Sequence, residues 1–302
     1  MPDANNVGRY SKERIKGKES LIKVAAIQTE PRMGDKEYNV RRQIEMIKDA
    51  MDQGALLIVL PELGNTGYVF NSRHEVSEMA EEIPGGTTCQ SWAKICEDHG
   101  VYICGGLVER HNGMYFNSAA LLGPKGFIGK YRKTHLWDEE KLYFEPGDLG
   151  FPVFDLAFGR FGIMICYDAW FPEAPRILAL QGVDVICDPT AWVTLDDVET
   201  PEKPLSPYVH LAGAHINGVF MICADRIGSE RGCKFLGMSC IAGPNGFISG
   251  PASPDREEIL TAEINVVQAR YKNWTELSHK FADRRTDLYD KFLGHNPVGR
   301  NH

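Results

Sequence analysis

Long hydrophobic runs, paired cysteines, clustered histidines and basic stripes are all missing from this 302-residue sequence. The longest uninterrupted apolar run covers residues 55–60, which is far too short to cross a bilayer. The formal net charge is −8, and no basic stripe offers a surface for phosphates. We therefore expect neither nucleic acid nor a membrane among the partners.

The cysteine pattern predicts free thiols rather than a disulfide framework. Eight cysteines are scattered along the chain, none of them forms a CxxC pair, and no histidine group has metal-site spacing. Several cysteines lie inside apolar runs, where free thiols commonly pack. These features predict a reducing compartment, and we expect a cytoplasmic protein that uses no metal and no organic cofactor.

The composition and the absence of linkers predict one folded domain. Hydrophobic residues make up 43% of the chain and charged residues 25%, which is ordinary for a globular protein with a full core. Residues 1–20 are polar and charged, and no apolar segment of a secretory signal follows them. We expect a polar N-terminal lead-in over 1–20 and a single domain over 21–302.

Strand-like and helix-like segments alternate along this domain, with hairpins between them. Strand patterns cover 22–30, 55–62, 183–190, 219–226 and 259–266, helix patterns cover 39–54, 89–100, 171–182 and 208–218, and hairpin-like segments cover 101–133 and 233–250. A single sheet with helices on one face would leave its other face bare. The pattern therefore predicts an α/β fold in which two mixed sheets pack on each other with helices outside.

One acidic, proline-rich segment without periodicity, VTLDDVETPEKPLSP, covers residues 193–207. Its composition predicts a surface loop, and loops of this length often line an active-site mouth. Whether the loop closes over a site is left open by the sequence.

Cys166 is the most informative single residue. It ends the apolar run 160–166 and directly precedes the helix-like segment 171–182. Open α/β sheets present reactive groups at the carboxyl ends of their strands, and a sharp strand-to-helix turn exposes the nucleophile of several hydrolases. A free cysteine can also be a small hydrophobic core residue, so the local sequence alone leaves both interpretations open.

Two charged residues at strand ends could activate such a thiol. Glu62 directly follows an apolar strand, where it is either a general base with a raised pKa or a cap at the strand end. Lys133 follows another strand, where it is either a solvated charge or an inward ammonium that stabilises an oxyanion. Glu140 and His135 follow Lys133 in the sequence. Acidic residues in this segment are typical of a solvated turn and a histidine is more often structural than catalytic, so the local sequence does not single out either residue.

Four segments in order resemble the nitrilase superfamily of carbon–nitrogen hydrolases. They are PELGNTGY (61–68), GKYRKTHLW (129–137), EKLYFEPGDLGF (140–151) and ICYDAWFPEAPRILALQG (165–182). The likeness extends over about residues 22–290. It implies a four-layer α-β-β-α sandwich of two mixed sheets with outer helices, paired into a homodimer or higher homo-oligomer.

The resemblance also implies the roles of the site residues. Glu62, Lys133 and Cys166 match the Glu–Lys–Cys triad, and Glu140 matches a second carboxylate near it. In such a site the thiolate forms a thioester, while Lys133 and the backbone N–H of Tyr167 stabilise the oxyanion. A non-catalytic member would be expected to lack a triad residue, and none is lacking here.

The residues after the cysteine favour one branch of the superfamily. Nitrile-cleaving members typically carry Trp–Glu there, whereas Tyr167 and Asp168 resemble amide- and carbamoyl-cleaving members. We therefore expect an amidase for a small aliphatic amide or carbamoyl compound, and nitrile hydrolysis is the alternative. The candidate substrate-binding residues, each of which could equally be a packing residue, are Tyr68, His135, Trp137, Tyr167, Trp170 and Trp192.

Overall fold

The computed structural model describes residues 21–293, so the predicted lead-in over 1–20 lies outside the described residues. The strands are β1 Leu21–Gln28, β2 Leu57–Val59, β3 Tyr102–His111, β4 Met114–Gly123, β5 Gly126–Arg132, β6 Val153–Leu156, β7 Gly159–Ile163, β8 Val185–Pro189, β9 Phe220–Ala224, β10 Ser229–Glu230, β11 Cys233–Lys234, β12 Cys240–Gly243, β13 Gly246–Ser249 and β14 Glu258–Asn265. The α-helices are α1 Lys36–Asp52, α2 Arg73–Met79, α3 Thr87–His99, α4 Glu140–Tyr143, α5 Glu173–Leu180, α6 Ser206–Asn217 and α7 Thr286–Leu293.

Two six-stranded sheets form the centre of the fold. The first has the order β14-β1-β2-β3-β4-β5 and the second β13-β12-β9-β8-β7-β6. In each sheet the central strands pair in parallel and the outer ones in antiparallel fashion. The carboxyl ends of the parallel strands β2 and β8 therefore provide the edge where reactive groups are expected.

Alternating apolar residues explain how the sheets form layers. In β1, Val24 and Ala26 belong to the core between the two sheets, whereas Ala25 and Ile27 face the helices α1 and α3. Successive side chains of a strand point to opposite faces, so a strand that is buried on both faces requires a continuous apolar run. On the second sheet, α5 and α6 pack against the same central core through small residues such as Ala214. The predicted α-β-β-α sandwich is confirmed.

The structure corrects the predicted boundaries around the nucleophile candidate. The strand expected over 160–166 ends at Ile163, and Cys166 begins a 3₁₀-helix, Cys166–Trp170. The helix expected over 171–182 shortens to α5, because Pro172 precedes its first turn. The short helices α2 and α4 were not predicted, since elements of seven and four residues carry too little periodicity.

Within residues 21–293, no helix combines the length and apolar character that a membrane crossing requires. The longest α-helix, α1, has 17 residues and an alternation of buried and exposed side chains. It is therefore an amphipathic layer helix.

Gly106 in β3 gives a test of how the fold places Glu62. A Cβ added at Gly106 would lie 2.6 Å from the Glu62 Cα and 2.7 Å from the Pro61 carbonyl oxygen. We expect Gly106→Ala to lower the free energy of unfolding by about 1–3 kcal/mol, because backbone must move. Gly213→Ala in α6 is the control, since its Cβ meets only ordinary contacts. Urea unfolding measures both, and a Gly106→Ala protein as stable as wild type would contradict the argument.

Candidate active site

Glu62 lies at the point where the two sheets meet. It follows β2 after Pro61, and its side chain is fully buried. Its backbone N–H donates to the Thr190 carbonyl, which follows β8 of the other sheet, at 3.2 Å. The backbone of Glu62, which follows a strand of the first sheet, is thus held by a residue that follows a strand of the second.

Lys133 joins Glu62 to Glu140. It follows β5, and its backbone N–H donates to the Asn117 carbonyl of β4 at 2.8 Å. Its Nζ lies 2.6 Å from the Glu62 Oε1 and 2.7 Å from the Glu140 Oε1, and all three side chains are buried. Hydrogen bonds to charged partners at this distance are strong where water is excluded.

Neutral donors complete the shell around the two carboxylates. Asn117 Nδ2 donates to the Glu62 Oε1 at 2.6 Å, and the Tyr68 hydroxyl donates to the Glu140 Oε1 at 2.5 Å. The backbone N–H of Trp137 donates to the other Glu140 oxygen at 3.0 Å. Asn117 was not predicted, and only its polar side chain within the otherwise largely apolar strand β4 hints at a role.

The charges in this cluster shift each other's titration. Burial raises the pKa of Glu62 to about 7, Lys133 opposes that shift, and Glu140 adds to it. Burial alone would lower the pKa of Lys133, but the carboxylates of Glu140 and Glu62 outweigh it and raise this pKa. Lys133 therefore stays charged, while Glu62 can gain or lose a proton near neutral pH.

Cys166 adopts a strained backbone conformation beside this cluster. Its φ is +50°, a value that L residues rarely take, and such strain is concentrated at functional sites. Its backbone N–H donates to the Asp188 Oδ1 at 2.8 Å, and this hydrogen bond fixes the turn at Cys166. Burial raises the pKa of the thiol well above its usual range, and Glu62 adds to the shift while Lys133 opposes it. The thiol therefore needs a base to become a nucleophile.

His210 supports Asp188, and the two form a buried Asp–His pair. His210 of α6 lies with its Nε2 2.8 Å from the Asp188 Oδ2 and its Nδ1 2.7 Å from the Ser206 carbonyl oxygen. Both ring nitrogens of His210 thus lie close to oxygen atoms. Burial raises the pKa of Asp188, and His210 opposes that shift. The pair keeps the acceptor of the Cys166 N–H in place.

Asp188, His210 and Cys223 are also the described residues whose donor atoms best resemble a metal site, since these atoms all lie within 4.8 Å of one another. Both carboxylate oxygens of Asp188 are already engaged, one by the Cys166 N–H and one by His210. Burial raises the pKa of Cys223 well above its usual range, which keeps it a thiol. We interpret the group as a support for the cysteine turn.

Asp168 fixes the other side of the same turn. Its Oδ2 accepts from the Ile165 N–H at 3.0 Å and from the Tyr131 hydroxyl at 2.8 Å. Its Oδ1 accepts from the His135 N–H and lies 2.7 Å from the His135 Nδ1, while the His135 ring stacks on Phe171. His135 does not line the cavity at Cys166, so we remove it from the candidate substrate-binding residues and assign it a structural role.

A cavity of about 150 Å³ opens onto Cys166. Five of the predicted aromatic candidates line it, namely Tyr68, Trp137, Tyr167, Trp170 and Trp192. Loop 193–207 contributes much of the opposite wall, as expected from its composition, through Val193, Leu195, Val198 and Glu199. The structure thus brings the cysteine, an aromatic wall and this loop together around one small, largely apolar space.

Comparison with known proteins assigns the family. A carbon-nitrogen hydrolase family profile matches residues 23–272. The chain is 45% identical to a nitrilase from Pyrococcus abyssi (strain GE5 / Orsay), over 89% of this chain and 99% of the relative. It is 33% identical to an N-carbamoylputrescine amidase from Solanum lycopersicum, over 93% of this chain and 99% of the relative. A crystal structure of a carbon-nitrogen hydrolase from Helicobacter pylori G27 matches with a TM-score of 0.81 and 28% identity, over 92% of this chain and 99% of that chain.

The chain therefore belongs to the carbon-nitrogen hydrolase family, within the nitrilase superfamily, and is an enzyme of this class. The family predicted from four sequence segments is confirmed.

Replacing Lys133 tests the ion cluster. Lys133→Met leaves two buried carboxyl groups without their cation, which should lower the free energy of unfolding by about 3–5 kcal/mol near pH 8. Without the ammonium the pKa of Glu62 rises further above its unfolded value. The neutral form is then favoured, so the loss of stability is smaller near pH 5 than near pH 8.

Denaturant unfolding at about pH 5 and about pH 8 measures this difference. Lys94→Met is the control, because Lys94 pairs with Asp98 on the exposed surface of α3. It should match wild type at both pH values. An equal loss for Lys133→Met at both pH values would count against the electrostatic explanation.

Proposed function

We propose that this protein is a cysteine-dependent amidase that cleaves a small aliphatic amide or carbamoyl compound through a thioester on Cys166. One observation carries the proposal. The buried Glu62–Lys133 pair stands beside a strained cysteine that opens onto a small cavity. This combination supplies a base, a cation and a nucleophile to one bound carbonyl group.

In the proposed first half-reaction Glu62 takes the Sγ proton of Cys166, and the thiolate attacks the amide carbon. The ammonium of Lys133 and the backbone N–H of Tyr167 stabilise the oxyanion that forms. Glu62 then gives its proton to the leaving nitrogen. The C–N bond breaks, ammonia departs, and the acyl group stays on Sγ.

In the second half-reaction Glu62 takes a proton from water, and the resulting hydroxide attacks the thioester carbon. The C–S bond breaks, the acid is released, and the proton returns to the thiolate through Glu62. Glu140 acts as a positioning residue here, because it holds Lys133 from the side opposite Glu62. Each step of this scheme moves one proton to or from Glu62, and the scheme needs no cofactor.

Two features support amides and carbamoyl compounds as substrates. Tyr167 and Asp168 follow the cysteine, as in amide- and carbamoyl-cleaving members. The relative from Solanum lycopersicum is named an N-carbamoylputrescine amidase. Nitrile hydrolysis is the second candidate, because the relative from Pyrococcus abyssi is named a nitrilase and is more similar in sequence.

Three further proposals concern the domain organisation, the self-association and the cellular location of the protein. The single domain predicted over 21–302 stays a prediction, and its residues 294–302 lie outside the described residues. Two or more copies associate through exposed apolar residues of the outer helices, such as Ile177 and Leu180 of α5 and Tyr208 and Ile216 of α6. The protein works in the cytoplasm, which is supported by eight cysteines that are all unpaired.

The proposed function predicts which compounds release ammonia. Wild-type protein is incubated with short amides, carbamoyl amines and nitriles side by side, and ammonia and carboxylate are measured. We expect amides or carbamoyl compounds to be cleaved and Cys166→Ala to reduce turnover below detection, since no other group can form the thioester. Cys89→Ala, a buried cysteine change in α3, is the control and should retain activity. Turnover by pure Cys166→Ala protein would overturn the mechanism, and turnover of nitriles alone would favour the second candidate.

The pKa of Glu62 predicts a pH profile. Burial raises this pKa to about 7, and the base must be ionised before it can take the thiol proton. The value of kcat/KM should therefore fall as the pH drops through about 7, rather than through the range of an exposed glutamate. To exclude unfolding as the cause, the enzyme from each acidic pH point is returned to neutral pH, where its activity must recover. A profile that stays flat down to about pH 5 would exclude Glu62 as the base with this pKa.

A further inference from the structure

The cavity at Cys166 contains one carboxylate that the proposed reaction does not use. Glu199 lies in loop 193–207 and lines this cavity, and only 4% of its surface is exposed. Thirteen residues line the cavity, and Glu199 is the acidic one among them, while none is a Lys, Arg or His. Among the lining residues, the Glu199 carboxylate therefore has no cationic side chain as a partner.

The contacts of Glu199 leave half of its carboxylate unused. Its Oε1 accepts from the backbone N–H of Leu205 at 3.1 Å and of Ser206 at 2.6 Å, at the start of α6. Among residues 21–293, none donates a hydrogen bond to Oε2, and no side-chain cation forms an ion pair with Glu199. The two N–H groups and the helix dipole offset part of the cost of burying this charge. Buried carboxylates are usually paired with a cation or hydrogen-bonded through both oxygens, and the Glu199 Oε2 has neither partner among the described residues.

The surroundings of Glu199 favour a cation as that missing partner. Trp137, Trp170 and Trp192 line the same cavity, and the faces of indole rings attract ammonium groups. A second cavity of about 240 Å³ shares Tyr68 and Trp137 with the first and is lined by acidic residues, again without Lys, Arg or His. The net charge of −8 adds a long-range attraction for cations.

We propose that Glu199 is a specificity-determining residue, and that it selects amides or carbamoyl compounds that carry an ammonium group at the end remote from the scissile C–N bond. The inference rests on the proposed function, because it assumes that the carbonyl group sits at Cys166. In the bound state the ammonium replaces water at the Glu199 Oε2, and the aromatic side chains enclose the alkyl segment. A substrate carboxylate at this position is repelled.

A capping role for Glu199 can be separated from a binding role. Glu199→Gln keeps the length of the side chain and an Oε1 that still accepts from Leu205 and Ser206, but it removes the charge. Glu202→Gln is the matched control, because Glu202 is an exposed glutamate of the same loop and its loss changes the net charge equally. The thermal unfolding midpoint of both variants reports any structural effect.

The test compares two amides of the same size and shape, γ-aminobutyramide and valeramide, which differ by an ammonium group in place of a methyl group. We expect wild type to prefer γ-aminobutyramide in kcat/KM. Glu199→Gln should raise the KM for this substrate about tenfold or more while changing valeramide turnover little, since one charge-assisted hydrogen bond is lost. Glu202→Gln should behave like wild type with both.

The possible outcomes separate this inference from the proposed function. Equal use of the two amides by wild type, or an equal loss with both in Glu199→Gln, overturns the inference and leaves the amidase intact. Absence of all amide turnover overturns the amidase. In that case calorimetric titration of Cys166→Ala with the two amides still decides the role of Glu199. Tighter binding of γ-aminobutyramide that Glu199→Gln abolishes supports it, and equal or no binding of the two overturns it.

Discussion

An ammonium group buried between two carboxylates is the interaction on which the candidate site depends. Lys133 contacts Glu62 and Glu140 at 2.6 and 2.7 Å, where water cannot screen the charges. Glu62 is 71 residues from Lys133 along the chain, whereas Glu140 is 7 residues from it, and the ionic contacts fix the separation of the three side chains. Burial of such charges costs less when neighbouring donors bind them, so Asn117 and Tyr68, which donate to Glu62 and Glu140, are part of the same unit.

The same cluster sets the protonation state of the thiol beside it. Its two carboxylates outnumber its one ammonium, and burial favours the neutral form of every acid nearby. The pKa of Cys166 is therefore raised, and the pKa of Glu62 lies close to neutral pH at about 7. The thiol therefore stays protonated in the resting site, and Glu62, which can be ionised near neutral pH, is the group that takes its proton. The Asp188 carboxylate meanwhile holds the strained backbone of Cys166.

Reactive groups and specificity groups come from different kinds of structure. The charged cluster stands at strand ends, where backbone hydrogen bonds from both sheets fix it. The wall facing Cys166 comes instead from loop 193–207, which makes few sheet contacts and carries Glu199. Loops can change without disturbing the sheets, so a family with one reaction can vary its substrates there.

Periodicity in the sequence determined the layers of the fold, because the apolar pattern of a strand or helix is local. The roles of Glu62, Lys133, Glu140 and Cys166 came from four segments that resemble the nitrilase superfamily. The sequence did not determine that His135 turns to Asp168 and Phe171 instead of the cavity, or that Asn117, Asp188 and Glu199 join the site. Those roles depend on which distant side chains meet, and on how burial shifts their charges. Such contacts are decided by the packing of the two sheets and the loop, because the local sequence does not specify which distant side chains become neighbours.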